Sequence, residues 1–163
     1  MFRKAGRPTV KTEQMGLDEA DRRILSEMRR NCRRSFRELG KALDMSPATL
    51  IERVKRLEQH GYLQGYSANL DFLKLGYEFM AIVKITMLHG ALLEVQQKIS
   101  KLPGVAAVYD VTGDYDSMAI VMCKSRGELS RLVKKILAIP HVEKTNTSLV
   151  LNVVKDLHEF NEI

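Results

Sequence analysis

Little in this 163-residue chain supports covalent or metal-based stabilisation. Only two cysteines occur, Cys32 and Cys123, 91 residues apart and in no C-x-x-C pair, which argues against a disulfide framework and against a zinc site. The four histidines, His60, His89, His141 and His158, lack metal-ligand spacing, and neither H-E-x-x-H nor G-x-S-x-G occurs. Cys123, at a predicted strand end, has no predicted base beside it. With no catalytic constellation, the expectation is a protein that is not an enzyme and carries no metal or cofactor. No apolar run reaches the roughly 18 residues of a membrane span. The opening Met-Phe-Arg-Lys-Ala-Gly-Arg-Pro also lacks the apolar segment of a signal peptide, so a cytoplasmic protein is expected.

What is present is a globular composition, 45% hydrophobic and 28% charged, long enough for one large domain or two small ones. The net charge of +6 is unevenly divided: residues 1–64 hold 15 Lys and Arg against 9 Asp and Glu, whereas residues 65–163 hold 11 of each. Cations clustered on one module suit a polyanionic partner such as nucleic acid; a solvated basic face is the plainer alternative.

Apolar residues at Leu17, Ala20, Ile24, Leu25 and Met28 mark one face of a first helix reaching about Arg30, with Asp18 placed to cap it and Glu19 and Asp21 in its first turn. Ser35 and Glu38 fit a capping box opening a second helix, whose stripe of Phe36, Leu39, Ala42 and Leu43 ends at Asp44. Ser46-Pro47 reads as the cap and first position of a third helix that buries Leu50, Val54 and Leu57 and stops at Gly61. The short connection between the second and third helices, with Gly40 permitting close approach and Met45 filling the angle, predicts a helix-turn-helix.

In such a motif the N-terminal part of the second helix of the pair enters the DNA major groove. Here its solvent side carries Ala48, Thr49, Glu52, Arg53, Lys55 and Arg56. Arg53 is the candidate for a guanine contact through N7 and O6, and Thr49 for a base edge or methyl group. Ser46 at the helix N-terminus, beside Pro47, and Lys55 or Arg56 suit phosphates. For each, a solvated side chain is the alternative. Tyr62 to Leu70 reads either as a wing strand or as plain connecting chain, and the basic start (Arg3, Lys4, Arg7, Lys11) either as a minor-groove arm or as a disordered tail.

The second half contains a repeat. Met80-Ala81-Ile82-Val83 recurs as Met118-Ala119-Ile120-Val121, and Pro103-Gly104-Val105 as Pro140-His141-Val142, at offsets of 38 and 37 residues. Each unit encloses an amphipathic helix, one with Leu92, Val95, Ile99 and Leu102, the other with Leu129, Leu132, Val133, Ile136 and Leu137. Strands are predicted at about 78–87, 105–112, 116–123 and 142–154. Two βαβ halves in tandem predict a ferredoxin-like βαββαβ fold in an α+β protein, with both helices on one face of the sheet. The other face is also apolar, which predicts a homodimer through the sheets. The connection Thr112-Gly113-Asp114-Tyr115-Asp116 is first a hairpin turn; two carboxylates beside an aromatic ring also suit a ligand's ammonium group, and turn amides its carboxylate.

Taken in order, several short motifs make a specific pattern: Leu17-Asp18-x-x-Asp21-x-x-Ile24-Leu25, Ser35-Phe36-Arg37-Glu38-Leu39, Met45-Ser46-Pro47, Glu52-Arg53-Val54-Lys55-Arg56-Leu57-Glu58, Gly61-Tyr62-Leu63, Leu70-Asp71 with Lys74-Leu75-Gly76, and Thr112-Gly113-x-Tyr115-Asp116. Over nearly all of residues 17–154 the chain resembles the leucine-responsive/asparagine (Lrp/AsnC) family of feast-or-famine transcription regulators. The resemblance implies a winged helix-turn-helix at 17–64 joined by a linker at 65–76 to a ligand-sensing ferredoxin-like domain at 77–163, while the basic arm at 1–16 lies outside the family pattern. It also implies double-stranded DNA as partner and dimers that assemble into tetramers or octamers. An amino-acid effector is implied between dimers at Gly113, Asp114, Tyr115 and Asp116, with Thr145 and Thr147 nearby. Asp44 departs from the pattern, standing where the turn usually has glycine.

Three other functions compete. A stand-alone amino-acid sensor has no need of a basic helix-turn-helix. RNA binding on the sheet lacks the aromatic pairs that stack bases. An architectural protein that wraps DNA with little sequence preference and no effector is the serious alternative.

Overall fold

The computed structural model describes residues 16–88 and 90–160, so all but Gly16 of the basic arm lies outside the described residues. The chain forms two units, one running to Ala68 and including the late turn Leu157–Glu159, the other spanning Asn69–Asp156.

In the first unit, α1 (Glu19–Arg30) starts at Asp18, whose carboxylate accepts from the Asp21 amide at 2.7 Å while Asp21 reaches back to the Asp18 amide. Ser35 and Glu38 make the same reciprocal exchange at the start of α2 (Phe36–Leu43), and Ser46 accepts from the Thr49 amide to open α3 (Pro47–Gln59). Caps of this kind contribute ~1 kcal/mol each. Asp44 ends α2 in the left-handed region (φ 55°, ψ 47°), a conformation short polar side chains tolerate, and so does what glycine does elsewhere. Gly40 is required by space: a Cβ there would lie 2.7 Å from the Met45 carbonyl oxygen. Gly61 (φ 76°) closes α3, with its amide bonded to Glu58 and that of Tyr62 to Leu57, which satisfies carbonyls the helix end leaves open. Ile24, Met28, Leu39, Leu43, Leu50, Val54 and Leu57 fill the space between the three helices, each fully buried apolar side chain adding roughly 1.5–3 kcal/mol. Residues 64–70 join no strand ladder, so this segment is connecting chain, with Tyr66 bonded through its hydroxyl to Glu58 at 2.7 Å.

The second unit is an antiparallel sheet of order β2-β3-β1-β4, formed by β1 (Phe79–Met87), β2 (Val105–Asp110), β3 (Ser117–Cys123) and β4 (Val142–Leu149). Helices α4 (Leu92–Ser100) and α5 (Arg126–Leu137) pack on one face, where Ala81, Val83, Ile85, Ala119 and Val121 meet Val95, Ile99, Leu132 and Ile136. Strand alternation follows: from Ala81 onward in β1 and throughout β3, odd-numbered residues are buried on this face, and even-numbered ones are half-buried on the other. Leu137 lies outside the core, 46% exposed. The last strand ends at Leu149 rather than Val154, because its partner runs out. Ala81 faces Leu149 and the Val150 amide takes the Met80 carbonyl, one residue from the start of β1.

The sequence repeat reappears in the backbone. Gly104 (φ 89°) and His141 (φ 74°) occupy equivalent corners where each helix turns back into a strand. At Gly104 a Cβ would meet the Met122 carbonyl at 3.1 Å and Leu132 at 3.2 Å, so only that corner demands glycine on grounds of space. Among the described residues no helix is long and apolar enough to cross a membrane.

Candidate functional site

At the start of α3, Pro47, Ala48 and Thr49 are exposed, and the Ser46 and Thr49 hydroxyls lie 2.9 Å apart in a hydrogen bond. Glu52 and Lys55 are exposed on the same helix. Arg53 and Arg56 are not placed as the sequence pattern suggested. Both are half-buried and turned onto α1. Arg53 Nη1 lies 2.7 Å from Asp18 Oδ2 and 2.8 Å from Asp21 Oδ1, and Arg56 Nη2 donates to both Asp21 oxygens at 2.8 and 3.0 Å. Asp21 is fully buried, so its charge is offset by two guanidinium groups. The Arg53 hydrogen bond, followed by that of the Asp21 amide, holds the Asp18 carboxyl below its ordinary range, and Asp18 and then Asp21 raise the Arg53 guanidinium. Helical periodicity places Arg53 and Arg56 on the flank of α3 but does not reveal that α1 carries two carboxylates opposite them. The signal was present in Leu17-Asp18-x-x-Asp21, where both acids read simply as helix-start residues.

The second candidate site is the six-residue link between β2 and β3. Gly113 (φ 115°) supplies its left-handed position, whereas Asp114 does not adopt positive φ. Gly113 and Asp114 are exposed; Tyr115 and Asp116 are half-buried. Asp116 is committed to the fold: its Oδ2 accepts from the Met87 amide at 2.7 Å, and its own amide donates to the Ile85 carbonyl. Lys84 Nζ sits 5.5 Å from the centre of the Tyr115 ring, a cation–π contact that ties this ring to β1. Thr145 pairs with Ile85 and is therefore brought to the same end of the sheet as the turn, while Thr147 pairs with Val83, two residues further away. The structure thus leaves Asp114 as the exposed carboxylate of the turn, and it adds Lys84, a β1 residue that no motif singles out.

An AsnC-type helix-turn-helix domain model matches residues 17–58, and a model described as the Lrp/AsnC ligand binding domain matches residues 80–160. An HTH-type transcriptional regulator of Pyrococcus furiosus is 40% identical over 87% of this chain and 96% of its own length. The chain belongs to the Lrp/AsnC family. Among other Lrp/AsnC relatives, the leucine-responsive regulatory protein of Klebsiella pneumoniae is 33% identical over 85% of this chain and 87% of its own. The solved structure of Escherichia coli AsnC superposes with a TM-score of 0.80 at 28% identity, covering 88% of this chain and 99% of that one. As an Lrp/AsnC protein the chain is a helix-turn-helix transcriptional regulator, not an enzyme. The α3 face falls within the helix-turn-helix match and the Gly113 turn within the ligand-binding match.

Proposed function

We propose that this regulator binds specific sites on double-stranded DNA in the cytoplasm and that an amino acid modulates its assembly or its hold on DNA. The observation that carries the DNA reading is the capped start of α3, which offers exposed Ser46, Pro47, Ala48 and Thr49, followed by Glu52 and Lys55, on the half of the chain that holds the whole +6. Thr49 and Lys55 supply direct contacts in this reading, Glu52 sets preference against wrong bases, and Ser46 holds a phosphate. Arg53 and Arg56 act as positioning residues that fix α3 on α1. Residues 1–16 serve as a basic arm and 65–76 as a linker. Dimers form through the outer sheet faces and pair into tetramers or octamers, so that two recognition helices reach half-sites about 34 Å apart.

For the effector, exposed Gly113 and Asp114 offer amide and carboxylate partners to a zwitterion, with Tyr115 beside them. Asp116 acts by holding the turn, and Thr145 is better placed than Thr147. Control requires that the amino acid bind one assembly more tightly than another. In a thermal-shift screen of the twenty amino acids, at least one stabilises the wild type and fails to stabilise Asp114→Ala. A flat response to all twenty sinks the effector reading.

The engagement of Arg53 with Asp18 and Asp21 favours a second reading, an architectural DNA-wrapping protein, because it removes the strongest base-reading donor from α3. Gel-shift titrations at matched salt on the protein's own upstream DNA and on random DNA separate the two. Preference for the upstream DNA supports the site-specific regulator; equal affinity supports the wrapping protein.

A further inference from the structure

The second unit contains a cavity of about 340 Å³, within the size range of small-molecule sites. It lies where the α4–β2 corner, the end of β3 and one side of α5 meet. The hairpin turn at Gly113 joins the opposite ends of β2 and β3, so the cavity is removed from that turn by the length of a strand, roughly 20 Å for six residues. Leu102, Pro103 and Leu132 give it an apolar floor, and Lys124, Arg131 and Lys135 stand around it. Among the described residues, none of these three cations has an ion-pair partner. Glu128 also lines the cavity, but its Oε2 already accepts from the Lys124 amide at 2.8 Å. Lys124 Nζ rests 5.1 Å from the centre of the Tyr77 ring on the segment that leads into β1.

The internal repeat supplies a comparison within the same molecule. At the 37-residue offset of the helices, Val95 and Ile99 correspond to Leu132 and Ile136, all four buried. By the same offset Glu94 corresponds to Arg131, Lys98 to Lys135, and Gly104 to His141. In the first half the charges cancel, because Lys98 Nζ sits 2.6 Å from Glu94 Oε1. In the second half the carboxylate is replaced by a guanidinium, and its corner residue is a glycine without a side chain. One fold position is therefore neutral and closed by a side chain in one copy, and basic and open in the other.

We infer that the cavity between Gly104 and α5 binds a small phosphate monoester whose organic portion lies on the apolar floor. Three cations and one carboxylate leave a local charge near +2, matching a phosphate monoester, which carries about −1.5 to −2 at neutral pH. The concave, part-apolar shape suits a small molecule better than the convex backbone of a duplex.

The test uses the full chain with phenyl phosphate and inorganic phosphate as probes, measured by calorimetry at constant ionic strength in chloride. The expected result is saturable binding, tighter for phenyl phosphate, weakened about tenfold by Arg131→Gln or Lys135→Gln and unchanged by Lys98→Gln. All three positions are exposed, and retained melting temperatures verify that the variants fold. A response that never saturates overturns the inference. So does binding that survives Arg131→Gln but is lost in Lys55→Gln, which would move the phosphate to the helix-turn-helix unit. Loss of DNA affinity in Arg131→Gln with phosphate binding intact overturns it as well, by making this surface a duplex contact.

Discussion

Arg53 commits its Nη1 to Asp18 and Asp21, which holds the guanidinium against the start of α1. Its contacts of 2.7 and 2.8 Å to those carboxylates are charge-assisted, and releasing them would leave Asp21 buried beside Arg56 alone. Arg53→Ala should therefore lower DNA affinity on all sequences alike and cost roughly 1–3 kcal/mol of folding stability. Binding to a set of singly substituted operators checks this; a loss confined to one base pair would restore Arg53 as a base reader. Proton linkage offers an independent check. Asp18 is lowered chiefly by Arg53, Glu27 by Arg34 and Glu38 by the Ser35 amide. Groups depressed in the folded state bind fewer protons there than in the unfolded chain, so their stabilisation is complete above the ordinary carboxylate range and is lost as pH falls through the lower folded values. The expected outcome is a melting temperature that declines below about pH 4, with a shallower decline in Asp18→Asn, followed by circular dichroism.

At the scale of elements, the helix-turn-helix depends on a contact between backbones. Gly40→Ala would put a methyl group 2.7 Å from the Met45 carbonyl, and neither atom sits at the end of a flexible side chain that could give way. A loss of about 1–3 kcal/mol is expected by urea denaturation, large for a one-carbon change and opposite to the gain alanine usually brings within a helix. This element was legible in the sequence because its determinants are local: three caps, one glycine and a short turn specify it within 44 residues, Asp18 to Gly61. The far end of β4 and the aim of Arg53 were not legible, since the first depends on where a strand some 70 residues earlier begins and the second on acids 32 and 35 residues away. The Gly113 turn was half legible. Its residue types were visible in order, but the division between Asp116, which bonds the Met87 amide, and Asp114, which does not, follows from a register that only pairing fixes. Asp116→Ala should accordingly lower the melting temperature, whereas Asp114→Ala should leave it near the wild-type value in the absence of ligand.

For the whole molecule, the outer sheet face presents a continuous apolar surface formed by Met80, Ile82, Ala107, Tyr109, Met118, Ile120 and Met122. Its residues are paired across three strands, with Ile120 facing Ile82 on one side and Ala107 on the other. A carboxylate at this centre would stand among apolar side chains, with its diagonal neighbour on β1, Lys84, already held over the Tyr115 ring. Ile120→Glu should shift the protein toward monomer in sedimentation velocity while leaving the helical content intact, and unchanged association would place the dimer contact elsewhere.

The lock between α3 and α1 also bears on how such a regulator changes its target. Aiming belongs to Arg53, Arg56, Asp18 and Asp21, whereas Ala48, Glu52 and Lys55 are exposed and stand apart from that network. If α3 reads bases as proposed, substitution at the latter positions would alter which bases are met without disturbing how the helix is held. Operator preference could then drift, or be redesigned, with little loss of folding stability, and a duplicated copy of this chain could acquire new binding sites through a few exposed residues.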